Sequence, residues 1–434
     1  MAHVEVKRRG ITLEEWSKLA FARVAELVVT DREPTRDWTV RVGQYFPGKY
    51  VWDGDAEAIS EGEFWGRPDG TAMFEGVAEI PERMAGKTIW LAQTTGAETI
   101  VYKDGRMLDG LDPNRYRVVF AEDAEPGTHK VLMEAYTRSK PDDERNVATQ
   151  AVRGCVQRFR VPRLVTVDAD ALQVKYDLDV LYQAAYGSQA DPDVAQRLRR
   201  HIEALFKLFP PYESDLPALR AVLPAVREYL ATRVFEADSP FGKYGRLACV
   251  AHSHLDIAYH WKAAQSVQKN ARTCLIQLRL MDRFPEFLYS HSQAWAYETL
   301  ERHYPELFRE LAQRIKEGRW EIVGGMYCES DCNIPSAEGL VRQVLYGKRY
   351  FLEKFGVDVD NCWLPDNFGN SAALPQILKD AGIEYFVCNK LSTWNDTNVF
   401  PYNAFIWRGL DGSEIYACLP PVHFITEMQT DECI

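Results

Sequence analysis

Apolar residues recur at helical spacing at the start of the chain. Ile11, Trp16, Leu19, Ala20, Val24 and Leu27 fall on one face and predict an amphipathic helix leading in, within residues 1–35. From 36 to 167 the pattern changes to short alternating runs cut by turn residues, as in Thr71–Ile80, Thr88–Ala92, Thr99–Lys103 and His129–Tyr136. Alternation with period two turns one face of each run toward a core, so this stretch predicts a β-sandwich. Asp104-Gly105 between two such runs predicts a hairpin turn. The helical period returns over 168–243, in Leu172, Tyr176, Leu178 and Leu181 and then Val194, Leu198, Ile202 and Leu205. Pro210-Pro211 interrupts it, and the whole reads as a helical connector.

From 244 to 434 strand and helix patterns alternate. The expected strands are 246–251, 320–325, 362–365, 384–388, 404–408 and 414–419, and the expected helices are 264–283, 305–317, 337–355 and 371–381. Such alternation predicts a parallel α/β sheet or barrel. Candidate chemistry sits where two of these strands stop. In an extended strand His252, His254 and Asp256 share one face. Taken alone, an H-x-D pair is more often a strand cap and a helix start than a ligand set. Asp366 ends the run Cys362–Pro365, with Gly369 allowing a tight turn; alone it reads as a helix cap or turn residue. Two such ends in one parallel sheet bring His254, Asp256 and Asp366 to a common mouth. One imidazole and two carboxylates suit Zn²⁺, with Mn²⁺ and Co²⁺ as alternatives, and leave room for a fourth ligand and a substrate.

Composition narrows the partners. The chain has 434 residues, 46% hydrophobic, enough for a large core. A net charge of −12 without a long basic run argues against nucleic acid. No apolar run of about 18 residues argues for a membrane span, and the N-terminus shows no apolar signal segment. Nine scattered cysteines, several in strand-like surroundings (Cys249, Cys362, Cys388, Cys418), predict buried reduced thiols in the cytoplasm. Cys328 and Cys332 flank Glu329 and Asp331 but lack a second pair, which favours packing over metal binding. Sandwich aromatics such as Trp38, Tyr45, Trp52, Phe64 and Trp65 read as core rather than as a sugar platform.

Seven stretches in one order carry a family resemblance: His252–Asp256, Gly318–Gly325, Glu329–Asn333, Leu340–Arg349, Trp363–Gly369, Leu374–Leu378 and Trp394–Asn398. The chain resembles the N-terminal half of glycoside hydrolase family 38 α-mannosidases of the cytosolic/vacuolar and bacterial subgroup. The resemblance implies a (β/α)7-type catalytic barrel over 244–434, incomplete at its C-terminal side. It implies zinc-dependent, retaining hydrolysis of terminal α-mannosidic bonds of oligosaccharides, through an aspartyl glycosyl-enzyme intermediate. His254, Asp256 and Asp366 become zinc ligands, and Asp366 is also the nucleophile. Lys390 becomes the cation beside the nucleophile, favouring its charged form, with a solvated strand-end lysine as the alternative, and Asp396 either contacts sugar hydroxyls or fixes its loop. Tyr259 stands where the family usually has a stacking tryptophan, so it offers less area. Val422–Phe424 replace an often acidic neighbourhood.

In the family, the fourth zinc ligand and the acid/base aspartate lie further along than Ile434. The resemblance therefore implies a chain with the nucleophile but not the proton donor, weakly active alone, with homo-oligomers expected of a full-length form. Two other functions fit parts of the pattern. His252-x-His254 at a strand end also suits a metal-dependent amidohydrolase or deacetylase. A carbohydrate-binding fragment would hold mannosides without turnover.

Overall fold

The computed structural model describes residues 12–92, 95–138, 155–187, 192–235, 249–393 and 400–420. The opening helix, Leu13–Val28, starts at a capping box. The Thr12 hydroxyl accepts from the Glu15 N–H at 3.1 Å, and the Glu15 carboxylate accepts from the Thr12 N–H at 2.9 Å. Its stripe of Trp16, Ala20, Val24 and Leu27 is buried with Leu178, Ile202, Leu205, Leu223 and Val226. Those partners belong to helices Ala169–Tyr186, Pro192–Leu208 and Leu216–Leu230. The expected lead-in and the expected connector therefore share one helical core.

Two large antiparallel sheets and a two-stranded one, Phe64–Trp65 with Gln157–Arg158, lie between them in the chain. One has the strand order Val29–Pro34, Arg163–Val167, Ile89–Ala92, Arg117–Ala121. The other is seven-stranded and contains Arg36–Phe46, Thr71–Ile80, Gly127–Tyr136, Glu98–Lys103 and Arg106–Leu111. Phe74, Val101 and Met133 from the second sheet share a core with Ile89, Leu91, Val118 and Leu164 from the first. The sheets begin at Val29, ahead of the expected boundary at 36, because Val29–Pro34 pairs with Arg163–Val167. Asp104 and Gly105 turn the hairpin with φ of 50° and 81°, and Lys103 faces Arg106. Trp38, Tyr45 and Trp65 are buried, as core residues should be, while Phe64 is exposed.

The long helix Ala263–Arg283 ties this sandwich to the C-terminal part, and much of its buried face is polar. Glu98 of the sandwich accepts from Lys269 at 2.5 Å, Arg272 at 3.0 Å and the Tyr136 hydroxyl at 2.6 Å. Burial alone would raise the Glu98 pKa, but Arg272 and Lys269 more than reverse this and hold it at about 2.

Beyond that helix the fold is α/β. Strands Tyr289–His291 and Trp320–Ile322 pair in parallel. A second sheet runs in the order Asn361–Leu364, Tyr385–Cys388, Glu414–Cys418, Ala404–Arg408. Helices Ala294–His303, Pro305–Lys316, Ala337–Phe355 and Leu374–Asp380 alternate with these strands.

Among the described residues the sheets are open and no barrel closes, where an incomplete one was expected. Two expectations need correction. Ala404–Arg408 pairs antiparallel with Glu414–Cys418, because the short link between them closes a hairpin and a parallel crossover needs a dozen or more residues. Residues 249–251 of the expected strand 246–251 are not in a strand; among the described residues this stretch pairs through a single bridge between His252 and Ser290. Cys249 is accordingly exposed rather than buried. No helix among the described residues is long and apolar enough to cross a membrane.

Candidate metal centre

Asp366 and Lys390 are brought together by strand register. Asn361–Leu364 and Tyr385–Cys388 run in parallel with Leu364 opposite Cys388. Each side chain follows its strand by two residues, so the two emerge side by side, with Lys390 Nζ 3.0 Å from Asp366 Oδ1. Asn361–Leu364 ends against a tight turn. Gly369 has φ 138°, a backbone conformation that residues with a Cβ rarely adopt, which favours glycine there. The Lys390 ammonium also lies 3.1 Å from the centroid of Phe368, whose ring is 79% exposed.

His254 and Asp256 arrive on an irregular segment after the His252 bridge. His254 Nε2 lies 3.3 Å from Asp256 Oδ1 and 3.6 Å from Asp366 Oδ2. One ligand atom from each of His254, Asp256 and Asp366 lies within 4.8 Å of the others. The three expected ligands thus meet at one mouth.

His252 does not join them. Its Nδ1 lies 3.1 Å from the Ser290 carbonyl and its ring is 5.1 Å from that of Trp363. The shared face assumed an extended chain, and extended pairing stops at His252 itself. Burial lowers the His252 pKa, which favours a neutral ring.

His254 sits between carboxylates on both ring edges. Burial pulls its pKa down, but the Glu329 and Asp256 carboxylates outweigh that and hold it at about 10. Its Nδ1 lies 2.6 Å from Glu329 Oε2. The Ser292 hydroxyl donates to Glu329 Oε1. Gln293 spans the same region: its amide donates to the Leu255 carbonyl at 2.9 Å and accepts from the Glu329 N–H at 3.3 Å. Neither Glu329 nor Gln293 was singled out from sequence. Glu329 stood within a family-like stretch, yet nothing in its spacing links it to a histidine 75 residues away.

The other expected residues divide. Tyr259 presents a ring that is 54% exposed and packs edge-on against His260 and Trp261. Cys332 is buried, its sulfur 3.3 Å from Asn367 Nδ2, and neither it nor Cys328 belongs to the ligand group. Asp396, Trp394–Asn398 and Val422–Phe424 lie outside the described residues.

Residues 245–433 match the family model described as the glycosyl hydrolases family 38 N-terminal domain. The chain is 30% identical over 385 residues to Alpha-mannosidase 2C1 of Homo sapiens, an alignment covering 85% of this chain and 35% of that protein. It is 39% identical over 192 residues to Alpha-mannosidase G of Dictyostelium discoideum, covering 44% and 18%. With Alpha-mannosidase of Saccharomyces cerevisiae the identity is 35% over 273 residues, covering 61% and 25%. The chain thus spans 18–35% of the length of these curated relatives.

Proposed function

The chain belongs to glycosyl hydrolase family 38 through residues 245–433, and on that premise we propose that it serves a zinc-dependent, retaining α-mannosidase acting on terminal mannosides of oligosaccharides. The observation that carries the reading is the convergence of His254, Asp256 and Asp366 within 4.8 Å. One imidazole nitrogen and two carboxylates fit Zn²⁺, with Co²⁺ or Mn²⁺ as alternatives. Bound there, the ion would orient sugar hydroxyls and stabilise charge in the transition state.

The chain's own groups have separate tasks. Asp366 turns Oδ2 toward His254 and Oδ1 toward Lys390. We assign Asp366 as the nucleophile. Its carboxylate attacks the anomeric carbon, the bond to the leaving oxygen breaks, and water later opens the glycosyl ester with retention. Lys390 holds the attacking carboxylate in place. Tyr259 offers an exposed ring for stacking on a sugar face, and Asp396 is assigned to sugar hydroxyls. None of these residues is assigned as proton donor. General acid help is worth about 10²–10⁴-fold, so full turnover requires a further acid facing the leaving oxygen. The described cysteines are all free thiols, which supports a reducing, cytoplasmic setting.

A fluorinated mannosyl fluoride that traps the glycosyl ester tests the assignment. Labelling is expected on the peptide containing Trp363–Gly369 and should vanish in Asp366→Asn, while that variant's melting curve stays near that of the parent. A label on another carboxylate would reassign the nucleophile.

A further inference from the structure

We propose that Glu329 is a positioning residue for the metal centre: its carboxylate fixes the His254 ring so that Nε2 faces Asp256 and Asp366. The inference rests on the metal reading above and adds a residue outside the ligand group. His254 has carboxylates on both ring edges, Glu329 at 2.6 Å from Nδ1 and Asp256 and Asp366 at 3.3 and 3.6 Å from Nε2. A ring whose Nδ1–H donates to Glu329 carries its free lone pair on Nε2 once the second proton leaves. That nitrogen is the one aimed at the two carboxylates. A carboxylate behind a ligating imidazole also raises its basicity and so strengthens its bond to a cation.

Glu329 is itself held from several sides. Its side chain is only 6% exposed, and Ser292 donates to its other oxygen. His252 Nε2 stands 4.0 Å from Oε1, with its own Nδ1 turned to the Ser290 carbonyl. Gln293 binds the backbone of both partners, through the Glu329 N–H and the Leu255 carbonyl beside His254. It does so at φ 67°, a left-handed conformation that a non-glycine residue keeps only when its surroundings demand it. Both carboxylate oxygens are used, Oε1 accepting from Ser292 and Oε2 facing His254 Nδ1, whereas a glutamine amide offers a single acceptor oxygen. Burying a carboxylate is costly, and two acceptors with one aimed at the back of the His254 ring account for its presence here.

The test uses the full chain with Zn²⁺ or Co²⁺ as the probe. Affinity is read by calorimetry, and ligand geometry by the visible absorption of bound Co²⁺. Glu329→Gln is expected to weaken metal binding about 10–100-fold and to change the Co²⁺ spectrum, while circular dichroism stays unchanged. Ser292→Ala should move both readouts the same way by less. A folded Glu329→Gln protein with parental affinity and spectrum would overturn the proposal. If that variant does not fold, Ser292→Ala decides, and parental values there overturn it equally. The control is His254→Ala. Were it to bind metal as tightly as the parent, the metal reading itself would fail, a result distinct from failure of the Glu329 role.

Discussion

At the residue scale, His291 shows how burial sets a titration. Its ring is fully enclosed by Tyr289, Tyr297 and Trp320, and Nε2 reaches Asn270 Oδ1 at only 3.3 Å. Burial, with a smaller contribution from His252, pushes its pKa down to about 3. An unfolded histidine titrates near 6.5. Between those values the unfolded chain binds a proton that the folded one refuses, so folding weakens as pH falls through this window. The slope is at most about 1.4 kcal/mol per pH unit from this group, and its contribution is constant above about 6.5. Urea unfolding of the metal-free protein and of His291→Gln at pH 7 and pH 4.5 checks this. The parent should lose more stability than the variant over that interval; equal losses would contradict the buried, neutral ring.

At the scale of elements, Gly347 decides how helix Ala337–Phe355 seats. In a helix interior, alanine is favoured over glycine by about 1 kcal/mol. Here a Cβ would lie 2.4 Å from the Gly325 carbonyl oxygen, 2.4 Å from the Met326 carbonyl carbon and 2.6 Å from the Tyr327 nitrogen. These are backbone atoms and cannot swing aside. Overpacking of this kind costs roughly 1–3 kcal/mol or more, so the clash outweighs the propensity gain. Gly347→Ala should lower the melting temperature. It should also weaken metal binding, because the displaced segment leads directly into Glu329. A higher melting temperature would mean that the helix stands further from that segment.

For the whole molecule, the sandwich supports the metal centre through helix Ala263–Arg283. Gln265 donates to the Thr137 carbonyl at 2.8 Å, and Lys262 pairs with Asp69 at 2.9 Å. On the same turn, Ser266 accepts from the Trp261 ring nitrogen at 2.8 Å and donates to the Ile257 carbonyl at 2.7 Å. It thereby closes the segment that carries Asp256. Glu98, Lys269 and Arg272 lock the helix to the sandwich below. Removing one partner from such a buried group leaves uncompensated charge, typically at a cost of about 3–5 kcal/mol. Glu98→Ala should therefore lower the unfolding free energy by that order and weaken metal binding as well. Parental metal affinity in a destabilised Glu98→Ala protein would separate the sandwich from the site.

Where the chain repeats a period over many residues, the sequence alone determined the result. Helix 337–355 was expected and is observed at Ala337–Phe355, and the helix expected over 264–283 runs Ala263–Arg283. The alternating runs produced the two sheets, and Asp104-Gly105 their hairpin, because only a few residue types accept positive φ in succession. His254, Asp256 and Asp366 were legible because each stood near the end of an apolar run. Strand Tyr289–His291 was not, since three residues show no period. Nor could local pattern reveal that Ala404–Arg408 would turn back on its neighbour, which connection length controls. Only the tertiary structure separated His252 from the ligand group, placed Glu329 behind His254 and joined the first helix to helices some 150 residues later. Those outcomes depend on contacts between distant segments, and no window of the sequence contains both partners.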